Sequence, residues 1–326
     1  MHVLVTGGTG FLGRHLAAAL LERGEKVFLL GRNFAPVEDL LQRGCVPVRV
    51  DLRDGAAVQA ACADMEIVYH VGALSAPWGK RADFQAINVG GTEAVLAGCR
   101  AHDVRRLIYV SSPSVVFDGG DQRMVDERAP YPRRFTSVYA LTKKMGEDRV
   151  RVAAQAGLET VTLRPKAIFG PGDQALLPRL VAAARQGRLP QIGDGRNLVD
   201  LTYVENVVHA LLLAAEVKEA AGRVYTITNG EHAPLWEIIR EVLRRLDLSP
   251  RLRSLPLSLA LGAASLLEAR AALSGQEPLL TRYSVLILAR TQTYDISAAR
   301  AELGYVPPVS LAEGVTRTLA ALKEGA

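Results

Sequence analysis

The chain has 326 residues, 49% hydrophobic and 22% charged, which suits a globular protein with a substantial core and excludes a low-complexity or disordered one. Its formal charge of +5 is spread as Arg and Lys beside Asp and Glu, without the basic block or interleaved aromatics of a nucleic-acid binder. Cys45, Cys62 and Cys99 are scattered and form no CxxC pair, so neither a disulfide framework nor a metal site is expected, and a strand that starts almost at once in place of a signal peptide points to the cytoplasm.

Residues 2–6 read as a short buried strand. Gly7-Gly8-Thr9-Gly10-Phe11-Leu12-Gly13 follows, and apolar residues 12, 16, 19 and 20 then recur at helical spacing up to a stop at Gly24. Gly7, Gly10 and Gly13 are spaced G-x-x-G-x-x-G. They permit a tight turn, close approach of backbone to a pyrophosphate, and close helix–strand packing. The pyrophosphate would rest on the free N–H groups of the helix N-terminus. Thr6 before the loop, and Phe11 and Leu12 within it, complete this group of expected cofactor contacts.

Residues 27–30 form the second strand, which ends Gly31-Arg32-Asn33. No carboxylate stands there to take a ribose 2′-hydroxyl, whereas Arg32 suits a 2′-phosphate. NADP(H) is therefore the expected cofactor and NAD(H) the alternative. The third strand, 46–50, leads to Asp51 and Leu52, where the adenine would rest. Asp51 either accepts from the adenine amine or caps the helix beginning near Asp54. The fourth strand, 67–71, is followed by Gly72-Ala73, small enough to let the cofactor ribose pass. His70 within it reads as a packed residue. A long helix is expected over 84–102; Asn88 inside it needs a partner for its amide, most simply neighbouring backbone.

The fifth strand, 107–112, is apolar until Ser111 and Ser112. Ligands of open parallel sheets bind beyond the carboxyl ends of the strands, which makes Ser112 a candidate to bond a substrate oxygen. Ser111 is the weaker candidate because neighbouring strand residues face opposite ways. Tyr139 and Lys143 then sit four apart on a predicted helix over 139–154, one turn apart on one face. A phenol beside an ammonium has its pKa drawn down from about 10, which suits acid–base work near neutral pH. The sixth strand, 160–163, runs into Pro165, which lacks an N–H and could pack flat against a nicotinamide.

Strands and helices in alternation imply an α/β fold with a doubly wound parallel sheet of Rossmann type and a smaller C-terminal substrate-binding lobe. Residues 1–169 are assigned to the dinucleotide-binding domain, with 198–228 returning to it. Residues 170–197 and 229–326 are assigned to the lobe, which opens at the Gly170–Gly172 break. Within it 255–273 is the most apolar stretch. Its Ser258, Gly262, Ser265, Glu268 and Arg270 leave it short of a bilayer span. A core helix is the expectation; a lid over an alkyl substrate or a helix at a membrane surface is the sharper alternative.

With these motifs assembled, the chain resembles an extended short-chain dehydrogenase/reductase over essentially its whole length. The likeness rests on TGGTGFLG (6–13), Ser112, YALTK (139–143) and LRPKAIFGPGD (163–173). Residues 75–102, 170–200, PLLTRY (278–283) and LGYVPPVSLAEG (303–314) are similar to the 3β-hydroxysteroid dehydrogenase-like branch, and within it to the bacterial 2-alkyl-3-oxoalkanoate reductases. The resemblance implies a nicotinamide-dependent oxidoreductase acting on a ketone or secondary alcohol of a bulky apolar molecule: a β-keto acid, a sterol-like compound or an aryl ketone. By family role, Tyr139 donates the proton, Lys143 holds the nicotinamide ribose, and Ser112 orients the oxygen. Asn88 falls at a family cofactor-site position, and the two long helices, 82–102 and 138–155, would pair two copies into a homodimer. Two other readings stand beside this one. A sugar-nucleotide epimerase or dehydratase with tightly held NAD would use Arg196 and Tyr203. A non-catalytic dinucleotide sensor is disfavoured, since tyrosine and lysine are both present.

Overall fold

A computed structural model describes residues 1–174 and 176–324; Ala175 and the last two residues, which the sequence assigns to the lobe, lie outside the described residues. Seven strands make the main sheet: β1 (His2–Thr6), β2 (Lys26–Gly31), β3 (Val46–Arg49), β4 (Ile67–His70), β5 (Arg106–Val110), β6 (Glu159–Pro165) and β7 (Val224–Ile227). Their spatial order is β7-β6-β5-β4-β1-β2-β3, all parallel. The order reverses between β1 and β4, the place where an open α/β sheet binds its ligand.

Parallel strands covered on both faces read as near-continuous apolar runs, and these do. Val3 and Val5 face one core with Ile67, Tyr69, Ile108 and Val110, under the helices Phe11–Glu22 and Val204–Glu216. Leu4, Val68, Leu107 and Tyr109 face the other, under Gly55–Ala60, Gly91–Ala101 and Val138–Gln155. The strand Val224–Ile227 rejoins the sheet as the sequence suggests, beside β6. It forms one rim, and its Thr226 N–H donates to the Glu127 carboxylate at 2.6 Å. The other rim is β3, which carries Pro47.

The helix expected over 84–102 is three pieces: Arg81–Phe84, a π-helical stretch Gln85–Gly90, and Gly91–Ala101. A third apolar cluster gathers Ile192, Trp236, Ile239, Leu243, Ala260, Ala264 and Val285. The helix Leu257–Ser274 meets it along one strip, Leu257, Ala260, Leu261 and Ala264, and just 17% of the helix is buried. Leu266 is 75% exposed and Leu273 91%. The expectation of a core helix is therefore wrong: apolar residues ring this helix on all sides, so composition could not say which face was covered. By length and composition alone, its 18 residues also suffice to cross a membrane.

Candidate active site

A cleft of about 630 Å³ opens at the carboxyl ends of the strands, within the usual size of a small-molecule site. One wall is the glycine loop. Gly7 has φ +65°, and a Cβ on it would lie 2.6 Å from Gly72 Cα. A Cβ on Gly13 would strike the Gly7 carbonyl oxygen and lie 2.8 Å from Gly8 Cα. The Phe11–Glu22 helix begins at Gly10 without a side-chain cap and with no acidic residue in its first turn. Its leading N–H groups and the positive end of its dipole are left for an anion. The loop thus fits a dinucleotide pyrophosphate, on this structure's own geometry.

Most expected cofactor residues line the cleft: Gly7, Gly10, Phe11, Leu12, Gly13, Arg32, Asp51, Leu52, Gly72, Ala73, Tyr139, Lys143 and Pro165. Thr6 and Asn88 do not. The Thr6 hydroxyl bonds His70 Nδ1 at 2.7 Å and accepts the Gly72 N–H at 3.1 Å, so it braces the loop from behind. Asn88 spends its amide on the Leu74 backbone, at 2.7 and 3.1 Å, and on Thr142 Oγ1 at 3.1 Å. It ties the π-helical stretch to the wall of the cleft and to the Tyr139 helix. Asp51 does not cap the following helix either. Asp54 does that, accepting the Ala57 N–H. The Asp51 carboxylate is clasped by Arg53 at 2.7 and 3.0 Å, which holds its pKa down at about 2, and Arg32 is a looser neighbour at 3.7 Å. His70 is the packed residue expected: it is buried between the Thr6 and Thr92 hydroxyls, and burial drives its pKa to about 3.

Ser112, Tyr139 and Lys143 line the same cleft. Ser137 caps the helix by accepting the Ala140 N–H at 3.1 Å, which fixes Tyr139 in the first turn and Lys143 one turn on. Gly146 lets this helix press onto β5, since a Cβ there would strike the Tyr109 hydroxyl. The Ser112 oxygen accepts the Ser114 N–H at 3.2 Å, leaving its own O–H to donate. Electrostatics differ from the expectation in one respect. Burial pushes the Tyr139 phenol above its ordinary pKa, against the downward pull of hydrogen bonds from Ser75 and Ser112. The Lys143 ammonium lies over the Tyr109 ring, 4.1 Å from its centre, and burial lowers its pKa to about 7 against the raising influence of Glu147. The phenol therefore rests in its protonated form.

Residues that sequence reasoning left out also line the cleft, among them Ser75, Lys166, Tyr283 and Gln292. Arg196 and Tyr203, which a sugar-nucleotide enzyme would need, are absent from its lining among the described residues; the Tyr203 hydroxyl donates to Glu205.

Residues 4–257 match the 3-beta hydroxysteroid dehydrogenase/isomerase family. The chain belongs to that family. It is 40% identical to a 2-alkyl-3-oxoalkanoate reductase of Stenotrophomonas maltophilia (strain K279a), over 97% of this chain and 98% of that protein. It is 34% identical to the sterol-4-alpha-carboxylate 3-dehydrogenase, decarboxylating, of Mus musculus, over 97% of this chain and 89% of that one. Among solved structures, a UDP-glucuronic acid 4-epimerase from Bacillus cereus in complex with NAD superposes with a TM-score of 0.78 at 24% identity, covering 99% of each chain, which establishes the fold. As a member of the 3-beta hydroxysteroid dehydrogenase/isomerase family the chain is a nicotinamide-dependent oxidoreductase of ketones and alcohols.

Proposed function

We propose that this enzyme is an NADP(H)-dependent reductase or dehydrogenase that moves hydride to or from a ketone or secondary alcohol on a bulky apolar molecule. The carrying observation is that Ser112, Tyr139 and Lys143 meet on the wall of the cleft that the glycine loop also lines. When bound, the nicotinamide supplies or accepts the hydride. Tyr139 delivers the proton to the carbonyl oxygen, a task that suits a phenol held protonated. Ser112, whose hydroxyl already bonds the Tyr139 phenol, orients that oxygen. Lys143 holds the cofactor ribose.

Arg32 supports the preference for NADP(H). It is exposed at the end of β2, and the carboxylate nearest it is already clasped by Arg53. Leu74, Ile87, Ile168, Leu176 and Ile287 on the cleft wall support an apolar substrate. The two relatives' names share a carboxylate borne on the carbon next to the one that changes oxidation state, which favours a β-keto or β-hydroxy acid among the candidate substrates.

The test is Tyr139→Phe against a panel of long-chain β-keto acids, steroids and aryl ketones. The substitution is expected to lower kcat/KM about 10²- to 10⁴-fold while leaving NADPH affinity within a few-fold. Wild-type protein that oxidises NADPH with no member of the panel overturns the reading. Protein that purifies with stoichiometric, non-exchanging NAD favours the epimerase instead.

A further inference from the structure

We infer that Lys166, held by Gln292, is a specificity-determining residue that pairs with a carboxylate of the substrate. This rests on the oxidoreductase reading above. Lys166 lines the cleft together with Ser111, Ser112, Ser114 and Tyr283. Its backbone is pinned on both sides: its N–H donates to the Ile227 carbonyl at 3.0 Å, and its carbonyl accepts the Thr202 hydroxyl at 2.5 Å. The next residue, Ala167, has φ +43°, a left-handed conformation unfavourable for a side-chain-bearing residue, which turns the chain sharply after β6.

The ammonium stands in the substrate's part of the cleft. Ser111 N–H donates to the Leu163 carbonyl at 2.7 Å, continuing the β5–β6 ladder, so Ser112 and Lys166 leave neighbouring strand ends. The ammonium also lies 5.7 Å from the centre of the Tyr294 ring. The Tyr294 phenol is electrostatically close to that of Tyr283, and the Tyr283 phenol to that of Tyr139.

Among the described residues Lys166 makes no direct ion pair. An ammonium has three donors and a full charge. Its hydrogen bond is to the neutral amide oxygen of Gln292, at 2.6 Å. Asp200 is the acid that bears on it, but both carboxylate oxygens are committed: Oδ1 to His232 Nδ1 at 2.6 Å and Oδ2 to the Tyr294 N–H at 2.8 Å. Burial accordingly lowers the Lys166 pKa to about 8. Gln292 is 1% exposed and is itself steadied by the Ile287 carbonyl, so the ammonium is aimed rather than free to swing away. The hydroxyls of Ser111 and Ser114 on the same wall are buried with no hydrogen-bond partner among the described residues and supply further donors. A carboxylate on the carbon next to the reacting one supplies the charge and the acceptors that these groups call for. A neutral ketone satisfies none of the charge.

The experiment compares a 2-alkyl-3-hydroxyalkanoic acid with its methyl ester as substrates for oxidation, following reduced nicotinamide by absorbance, in wild type, Lys166→Met and Lys166→Arg. A charge-assisted hydrogen bond corresponds to about 10- to 100-fold. Wild type is expected to favour the acid by that ratio of kcat/KM. In Lys166→Met the ratio collapses to within about threefold of one, and Lys166→Arg recovers part of it. Equal use of acid and ester by wild type overturns the inference while leaving the oxidoreductase reading intact, and needs no variant to fold. A Lys166→Met enzyme that keeps the wild-type ratio also overturns it. If wild type oxidises neither compound and reduces none of the ketone panel, it is the underlying reading that fails.

Discussion

Glu147→Gln is the substitution that most sharply separates packing from charge. Glu147 and Arg164 are 4% and 3% exposed and joined by two parallel bonds of 2.8 and 2.7 Å; the Tyr131 hydroxyl donates to the same carboxylate at 2.8 Å. Gln keeps the shape and loses the charge. Removing one member of a buried pair leaves the other uncompensated and costs about 3–5 kcal/mol. At about 2.1 cal/mol/K per residue, 326 residues unfold with about 0.7 kcal/mol/K, so the midpoint should fall roughly 4–7 °C. Glu147 also lies one turn beyond Lys143 and raises its pKa. Lys143's folded value of about 7 is below the ordinary value of about 10.4. Between the two the unfolded chain binds a proton the folded chain has shed, so this group's contribution to stability increases as pH rises from about 7 to about 10. In Glu147→Gln that rising limb should begin at lower pH, and activity should decline at lower pH as the ammonium is lost. Thermal unfolding by circular dichroism across pH reads both effects. Glu93→Gln, which breaks an exposed pair with Arg149, is the control, worth under about 1 kcal/mol. A Glu147→Gln midpoint no lower than that control's refutes the reasoning.

Arg32→Ala should raise the KM for NADPH about 10- to 100-fold and leave that for NADH nearly unchanged, as steady-state kinetics with both cofactors will tell. Gly13→Ala forces a methyl onto the Gly7 carbonyl, so the loop must shift; NADPH binding measured by fluorescence should weaken at least tenfold, with a stability loss of about 1–3 kcal/mol. Leu266→Ser with Leu273→Ser should change the unfolding free energy by less than about 1 kcal/mol in total, because both side chains stand in solvent; a core position would cost several times more.

The glycine loop and the Tyr139–Lys143 pair were legible because each is local: loop chemistry and helical register are written within a few neighbouring residues. Thr6 ends its strand behind the loop and Asn88 turns from its helix to the Leu74 backbone and Thr142, since sequence locates an element and not the direction in which a side chain turns. Lys166 and Gln292 lie 126 residues apart and meet only through the fold. The Tyr139 phenol was expected to be lowered by its lysine. Burial raises it instead, against the Ser75 and Ser112 hydroxyls, and how deeply a helix is covered is a property of everything packed against it.

Both rims of the main sheet are closed to further strands. Pro47 removes a donor from one rim, and Glu127 occupies the Thr226 N–H on the other. The main sheet is therefore a poor template for cross-β growth, and any precipitate this protein forms should start from the exposed leucines of Leu257–Ser274 and dissolve in mild detergent.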